Sequence, residues 1–152
     1  MIIRKPKLDD YDSIINLYKQ LYEAEVPYDD NLSKEYLLKD KQKKLIKDRI
    51  KSRKKVFLVA ETDNMIIGLI DGFMMDNICY LEKVAYLDHL CVDERYRNQK
   101  VATELIEAFT KKVKEKGAKY IKLNAFENNI KAVNFYKKNG FTEHSIYYRK
   151  SI

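Results

Sequence analysis

Three apolar runs rich in β-branched residues crowd the middle of the chain: KVFLVAET from Lys55, MIIGLIDGFMM from Met65 and VAYLDHLCV from Val84. Asp63 and Asn64 alone separate the first two, and both residue types tolerate the positive φ of a tight hairpin. That pair is therefore expected as antiparallel strands. The third run is again strand-like and leads, through Arg97-Asn98-Gln99-Lys100-Val101-Ala102, into an amphipathic helix from about Val101 to Lys116, with Gly117 at the left-handed cap position. The start of such a helix offers unpaired amides and the positive end of the helix dipole, so an anion is stabilised there without a dedicated side chain. Glycine usually lets the backbone approach the anion closely. Here Lys100 stands in that place.

The remaining elements follow by period. Ile2 and Ile3 open a short strand, and Ile14, Leu17, Tyr18 and Leu21 mark one face of a helix from Asp9 to Glu23, capped by Asp9 or Asp10. The acidic segment EAEVPYDDN (23–31) breaks that pattern at Pro27, and a basic helix is expected from Ser33 to about Ser52. KYIKLNAF reads as a fourth strand of the central series, Asn129 to Asn139 as a helix closed by Gly140, and HSIYYRK as a closing strand. The order β-α-α-β-β-β-α-β-α-β describes an α/β fold, α+β or mixed-sheet, built in layers. With no repeat or linker in its 152 residues, the chain reads as one domain, 1–152, large enough to bury about two-thirds of its unfolded surface.

Several function classes fall away on composition. The longest apolar runs are strand-sized, short of the roughly 20 residues that span a bilayer, and MIIRKPKLDD lacks an apolar signal core. A cytoplasmic protein without a membrane partner is expected. Cys79, His89, Cys91 and His144 are scattered without zinc-ligand spacing, so neither a disulfide framework nor a metal is expected. The net charge of +7 is concentrated in residues 34–55, which hold eleven Lys or Arg against three acids. Such a stripe suits nucleic acid or another acidic partner. Only Tyr36 there can stack on a base, so a solvated face is expected in preference to nucleic acid. A homodimer is left open.

LCVDERYRNQKVATELI (90–106) resembles the pyrophosphate segment of the GCN5-related N-acetyltransferases, the GNAT family, whose core is Arg or Gln, two residues, Gly, one residue, then Gly or Ala. Arg97 and Ala102 match, and Lys100 replaces the first glycine. NNIKAVNFYKKNGF (128–141) resembles the family's second segment, with Asn129, Ala132, Phe135, Tyr136, Gly140 and Phe141 in place. The order of elements agrees across nearly the whole chain. The resemblance implies a GNAT-like acyl-CoA N-acyltransferase fold and transfer of acetyl from the cosubstrate acetyl-CoA to an amine. It implies pantetheine pairing along Leu90, Cys91 and Val92, in the manner of strand addition. Pyrophosphate would rest on the amides of Gln99, Lys100, Val101, Ala102 and Thr103, with Arg97 and Asn98 shaping the turn and the Thr103 hydroxyl adding a contact. Asn129 would lie on the cofactor side, and Tyr136 would protonate the departing thiolate.

An amine with pKa near 10.4 is neutral in only about one molecule in a few thousand at pH 7, so the reaction needs a base or a water chain. Asp88 and His89 are the candidates, strand alternation sending one toward the cleft and the other away. Resemblance to polyamine-acetylating enzymes favours Asp88. Tyr22, Glu25, Tyr28 and Asp29 make the connection after the first helix acidic and aromatic, a surface suited to a cationic amine substrate, whose identity stays open. The alternative function is a weakly active relative that docks the basic helix 34–55 on nucleic acid or another acidic partner.

Overall fold

The computed structural model describes residues 1–33, 35–36, 39–76 and 79–152. Strands β1 (Ile2–Arg4), β2 (Lys55–Thr62), β3 (Met65–Met74), β4 (Val84–Val92) and β5 (Tyr120–Lys122) form one mixed sheet in chain order. The first three pairings are antiparallel, and β4 with β5 is parallel. The β2–β3 hairpin turns on Asp63 and Asn64 at φ 48° and 61°, the left-handed pair expected of them.

Helices α1 (Tyr11–Glu25) and α2 (Asp40–Lys51) cover one face of the sheet. Ile14, Leu17 and Tyr18, three and four residues apart, bury there with Ile46 against Phe57, Val59, Leu69 and Cys91. Helix α3 (Val101–Glu115) covers the other face through Val101, Leu105, Ile106, Phe109 and Val113. Phe135 and Tyr136 of α4 (Ile130–Lys138), with Phe141 just beyond it, pack against that same core. Arg4 clasps the start of the chain, holding Asp10 at 2.7 Å and Glu61 at 2.5 Å.

Two elements differ from expectation. The basic helix begins at Asp40, after an extended Lys39, and not at Ser33; Glu35 and Tyr36 lie in a turn, while Lys34, Leu37 and Leu38 lie outside the described residues. HSIYYRK forms no strand. Strand preference is expressed through cross-strand neighbours, and this stretch is held by a side chain instead, Arg149 to Asp29 at 2.6 Å, after Glu143 just before it pairs with Lys137 at 2.7 Å; Ile146, Tyr147 and Tyr148 are exposed.

The sheet's decisive irregularity is in β4. Asp71 pairs with His89 and Gly72 with Leu87, so Asp88 is an extra residue, a β-bulge. Ala85 and Leu87 face α3, yet so do Leu90 and Val92: the parity of the strand switches at the bulge. Beyond it the pairing with β5 has already ended, at Tyr86 with Lys122. This is why KYIKLNAF yields only three residues of strand, and why β4 runs on from Leu87 to Val92 without a β5 neighbour.

Gly72 lets the bulge close. A Cβ there would sit 2.1 Å from the Tyr86 carbonyl oxygen and 2.7 Å from the Phe109 ring, and the carbonyl belongs to backbone that cannot rotate away. Gly72→Ala is expected to cost about 3 kcal/mol of stability, the upper part of the overpacking range, measured by urea denaturation.

Candidate active site

The turn after β4 is built in three steps. Asp93 accepts hydrogen bonds from the Arg95 amide at 3.0 Å and the Arg95 guanidinium at 2.9 Å, which hold its carboxyl near 2 and fix the short 3-10 turn Glu94–Tyr96. Arg97 then folds back, its Nε donating to the Val92 carbonyl at 3.2 Å. Asn98 and Lys100 both take the left-handed conformation, at φ 63° and 64°. The positive φ that glycine would adopt freely is thus adopted by a lysine.

Lys100 is also the N-cap of α3, and no side chain caps that helix. Its first internal hydrogen bond is Glu104 N–H to the Lys100 carbonyl at 3.0 Å, leaving the amides of Val101, Ala102 and Thr103 ahead of the ladder. In α4, by contrast, Asn129 caps the Ala132 amide at 3.1 Å with its carboxamide oxygen, as its position predicts. Leu90, Cys91 and Val92 lie on the stretch of β4 that has left β5. The Cys91 side chain faces α1, its thiol donating to the Leu17 carbonyl at 3.2 Å; burial pushes its pKa up to about 12, so it is no nucleophile.

Tyr136 sits edge-on between Phe135 and Phe141, at 5.5 and 5.6 Å between ring centres. Burial, then the charges of Glu25 and Tyr86, raise its hydroxyl to about 12, so it carries its proton at neutral pH. Glu25, at the end of α1, has its own pKa raised by burial and feels His89 as well.

The bulge overturns the expected alternation of Asp88 and His89. Both reach Arg49 of α2: Arg49 Nη1 lies 2.8 Å from Asp88 Oδ2 and 3.2 Å from His89 Nδ1. Arg49 also pairs with Asp71, which is completely buried on β3. His89 Nδ1 meets Asp71 Oδ1 at 2.7 Å, and the Tyr18 hydroxyl donates to Asp71 Oδ2 at 3.1 Å. Burial works to raise the Asp71 pKa, but His89 and Arg49 prevail and hold it below the usual carboxylate range. Asp71, Asp88 and His89 are groups of metal-binding type within 4.8 Å of one another, and the Arg49 guanidinium lies among them.

Sequence reasoning passed over both Asp71 and Arg49. Asp71 had a signal: a lone carboxylate inside the apolar run GLIDGF must find partners if that run is buried. Arg49 was hidden in a charge total, although Ile46, Arg49 and Ile50 share one helical face. Of the acceptor-side residues, Tyr22 hydrogen-bonds His89 Nε2 at 3.2 Å, Tyr28 stacks on Phe126 at 6.0 Å, and Asp29 is engaged by Arg149.

Arg49→Met strands the buried Asp71 charge, and the expected loss is about 3 kcal/mol. The pH dependence has a definite sign. The ionised Asp71 contributes stability above its unfolded-state pKa, lost as pH falls through the lower folded value; without Arg49 the folded value rises, so acid unfolding begins at higher pH. Urea denaturation across pH 2 to 7 measures both effects.

Comparisons with known proteins agree with this architecture. The model of the acetyltransferase (GNAT) family matches residues 12–141. An N-alpha-acetyltransferase of Sulfurisphaera tokodaii is 28% identical over 148 residues, covering 93% of this chain and 80% of that protein. Human N-acetyltransferase 8 is 26% identical over 97 residues, 64% of this chain and 43% of that protein. Among solved structures, a mutant BH1408 protein from Bacillus halodurans superposes with a TM-score of 0.90 at 22% identity, over 100% of this chain and 99% of that one. The aminoglycoside acetyltransferase AAC(6')-Iy, in complex with a CoA-based bisubstrate analog, gives 0.75 at 21% identity, over 99% and 98%. With the family model spanning most of the chain and the fold shared end to end, the chain belongs to the acetyltransferase (GNAT) family and is an N-acetyltransferase.

Proposed function

We propose that residues 1–152 act as one acetyl-CoA-dependent transferase domain that moves acetyl to a primary amine of a small molecule or peptide by direct attack on the thioester. The observation that carries this reading is the meeting of a freed strand with an uncapped helix. β4 parts from β5 after Tyr86 and leads, through the short 3-10 turn Glu94–Tyr96, to the left-handed residues and the open amides of α3. The amide-containing pantetheine arm pairs with the backbone of Leu90, Cys91 and Val92 as an added strand would. The pyrophosphate takes the amides of Val101, Ala102 and Thr103, with the Lys100 ammonium beside it.

At the other end of the slot the leaving group is a thiolate with a pKa near that of cysteine, about 8.5, and a donor beside it eases departure. Tyr136 retains its proton at neutral pH, which suits it to that task. The Glu25 carboxylate makes no hydrogen bond or ion pair among the described residues, and with Tyr22 and Tyr28 it offers a cationic amine an anionic, aromatic receptor. Amine acceptors are also in keeping with the names of the relatives. The alternative, docking of α2 on an acidic partner, has weaker support because Ile46 and Arg49 of that helix are turned to the sheet.

Two measurements test the reading. Lys100→Gly removes left-handed strain and is expected to raise stability by about 0.5 to 1 kcal/mol, while Lys100→Glu is expected to weaken acetyl-CoA binding on the order of 10-fold; equal calorimetric affinities in wild type and both variants would place the phosphates elsewhere. Tyr136→Phe keeps the ring and removes the proton, so acetyl-CoA affinity should hold while single-turnover acetylation falls on the order of 10²-fold. An unchanged chemical rate leaves Tyr136 as a core aromatic.

A further inference from the structure

Resting on that reading, we propose that His89 Nε2 is the atom that takes the amine's proton, with buried Asp71 as the positioning residue behind it and the Tyr22 hydroxyl as the relay in front. Three geometric facts carry this. His89 Nδ1 lies 2.7 Å from a carboxylate that is wholly removed from solvent, closer than the 3.2 Å to the Arg49 guanidinium, so we place the ring hydrogen on Nδ1, donating to Asp71, with Nε2 left bare. The Tyr22 hydroxyl lies 3.2 Å from Nε2, and burial raises its pKa above the ordinary tyrosine value, so it arrives as a neutral donor. His89 stands on the stretch of β4 that has left β5, beside the proposed thioester slot.

The charges around the ring complete the case. Facing His89 are Asp71 from β3, Asp88 from β4, Arg49 from α2, and Tyr18 and Tyr22 from α1, while Glu25 at the end of α1 acts on it through charge alone. Asp71, Asp88 and Arg49 form a unit of two carboxylates and one guanidinium, so a proton that His89 takes up in the reaction is received beside net negative charge. Asp88 is the weaker candidate for the base because its Oδ2 is paired with Arg49 at 2.8 Å.

The proton transfer balances. The ammonium of the bound amine gives one proton to Tyr22 Oη, the Tyr22 proton passes to His89 Nε2, and the amine is left with the lone pair that attacks the thioester carbon. Tyr22 ends unchanged, and His89 ends as an imidazolium against Asp71. A cavity of about 30 Å³, bordered by Tyr22, Tyr36, Gln42, Arg49 and His89, has room for a water to carry the proton onward.

The first test needs no substrate. In protein labelled with ¹⁵N-histidine, long-range ¹H–¹⁵N correlation reports the tautomer, and His89→Gln separates the His89 signal from that of His144. Hydrogen on Nδ1 is expected; a neutral His89 with hydrogen on Nε2 overturns the proposal. The second test is kinetic, with acetyl-CoA and the first amine that releases CoA. His89→Gln and Asp71→Asn should lower kcat on the order of 10²-fold or more with acetyl-CoA affinity held, and Tyr22→Phe, which keeps the ring, should lower kcat less because water can fill the relay. A normal kcat in His89→Gln refutes the assignment even if Asp71→Asn fails to fold. Absence of acetyl-CoA binding by the wild type would instead sink the transferase reading, with the tautomer still deciding for or against the dyad.

Discussion

A single carboxylate with no exposure to solvent organises this molecule. Moving an ion such as that of Asp71 out of water costs several kcal/mol even after the protein relaxes, and the cost is offset only when partners of the right sign and geometry surround it. Here the partners come from every element on that side of the sheet: Tyr18 from α1, Arg49 from α2 and His89 from β4. None can leave without stranding the charge. α2 in particular shows only Ile46 fully buried among its twelve residues, so its attachment depends on the Arg49 ion pairs as well as on apolar contact.

The bulge at Asp88 makes that convergence possible. Without the extra residue His89 would share the face of Leu87 and point into the apolar core beneath α3, where an imidazole has no polar partner. With it, Asp88 and His89 both turn toward α1 and α2. The same kink accompanies the departure of β4 from β5, so one insertion gathers the proton-handling residues on one side and frees a backbone edge for the cosubstrate on the other. Chemistry and binding are coupled because they share a strand.

Much of this was legible in the sequence. Asp63-Asn64 announced the hairpin, the spacing of Ile14, Leu17 and Tyr18 announced α1, and Asn129 and Gly140 bracketed α4. Local chemistry fixes such features. What was not legible depends on distant pairing. A bulge is a property of two strands, and nothing in VAYLDHLCV alone says that its alternation breaks at Asp88. The role of Arg49 is invisible until Asp71 lies beside it, 22 residues away in sequence. HSIYYRK has strand composition and no strand, because composition supplies a preference and only a neighbouring edge supplies the hydrogen bonds.

Lys100 shows what a glycine motif means physically. The left-handed conformation costs an L-residue on the order of 1 kcal/mol, and lysine has no side-chain acceptor to compensate locally as asparagine does. The conformation persists because both flanks impose it. Val101 is buried beside β3 one residue later, Glu104 closes the first helical turn onto the Lys100 carbonyl, and Asp93 with Arg95 anchors the chain on the other side. Between those anchors the turn has little freedom, and its shape is set by packing of α3 more than by the residue at its apex. Glycine makes such a turn cheaper; it does not create it. A side chain there costs some stability and brings a cation to the place where the backbone already gathers donors.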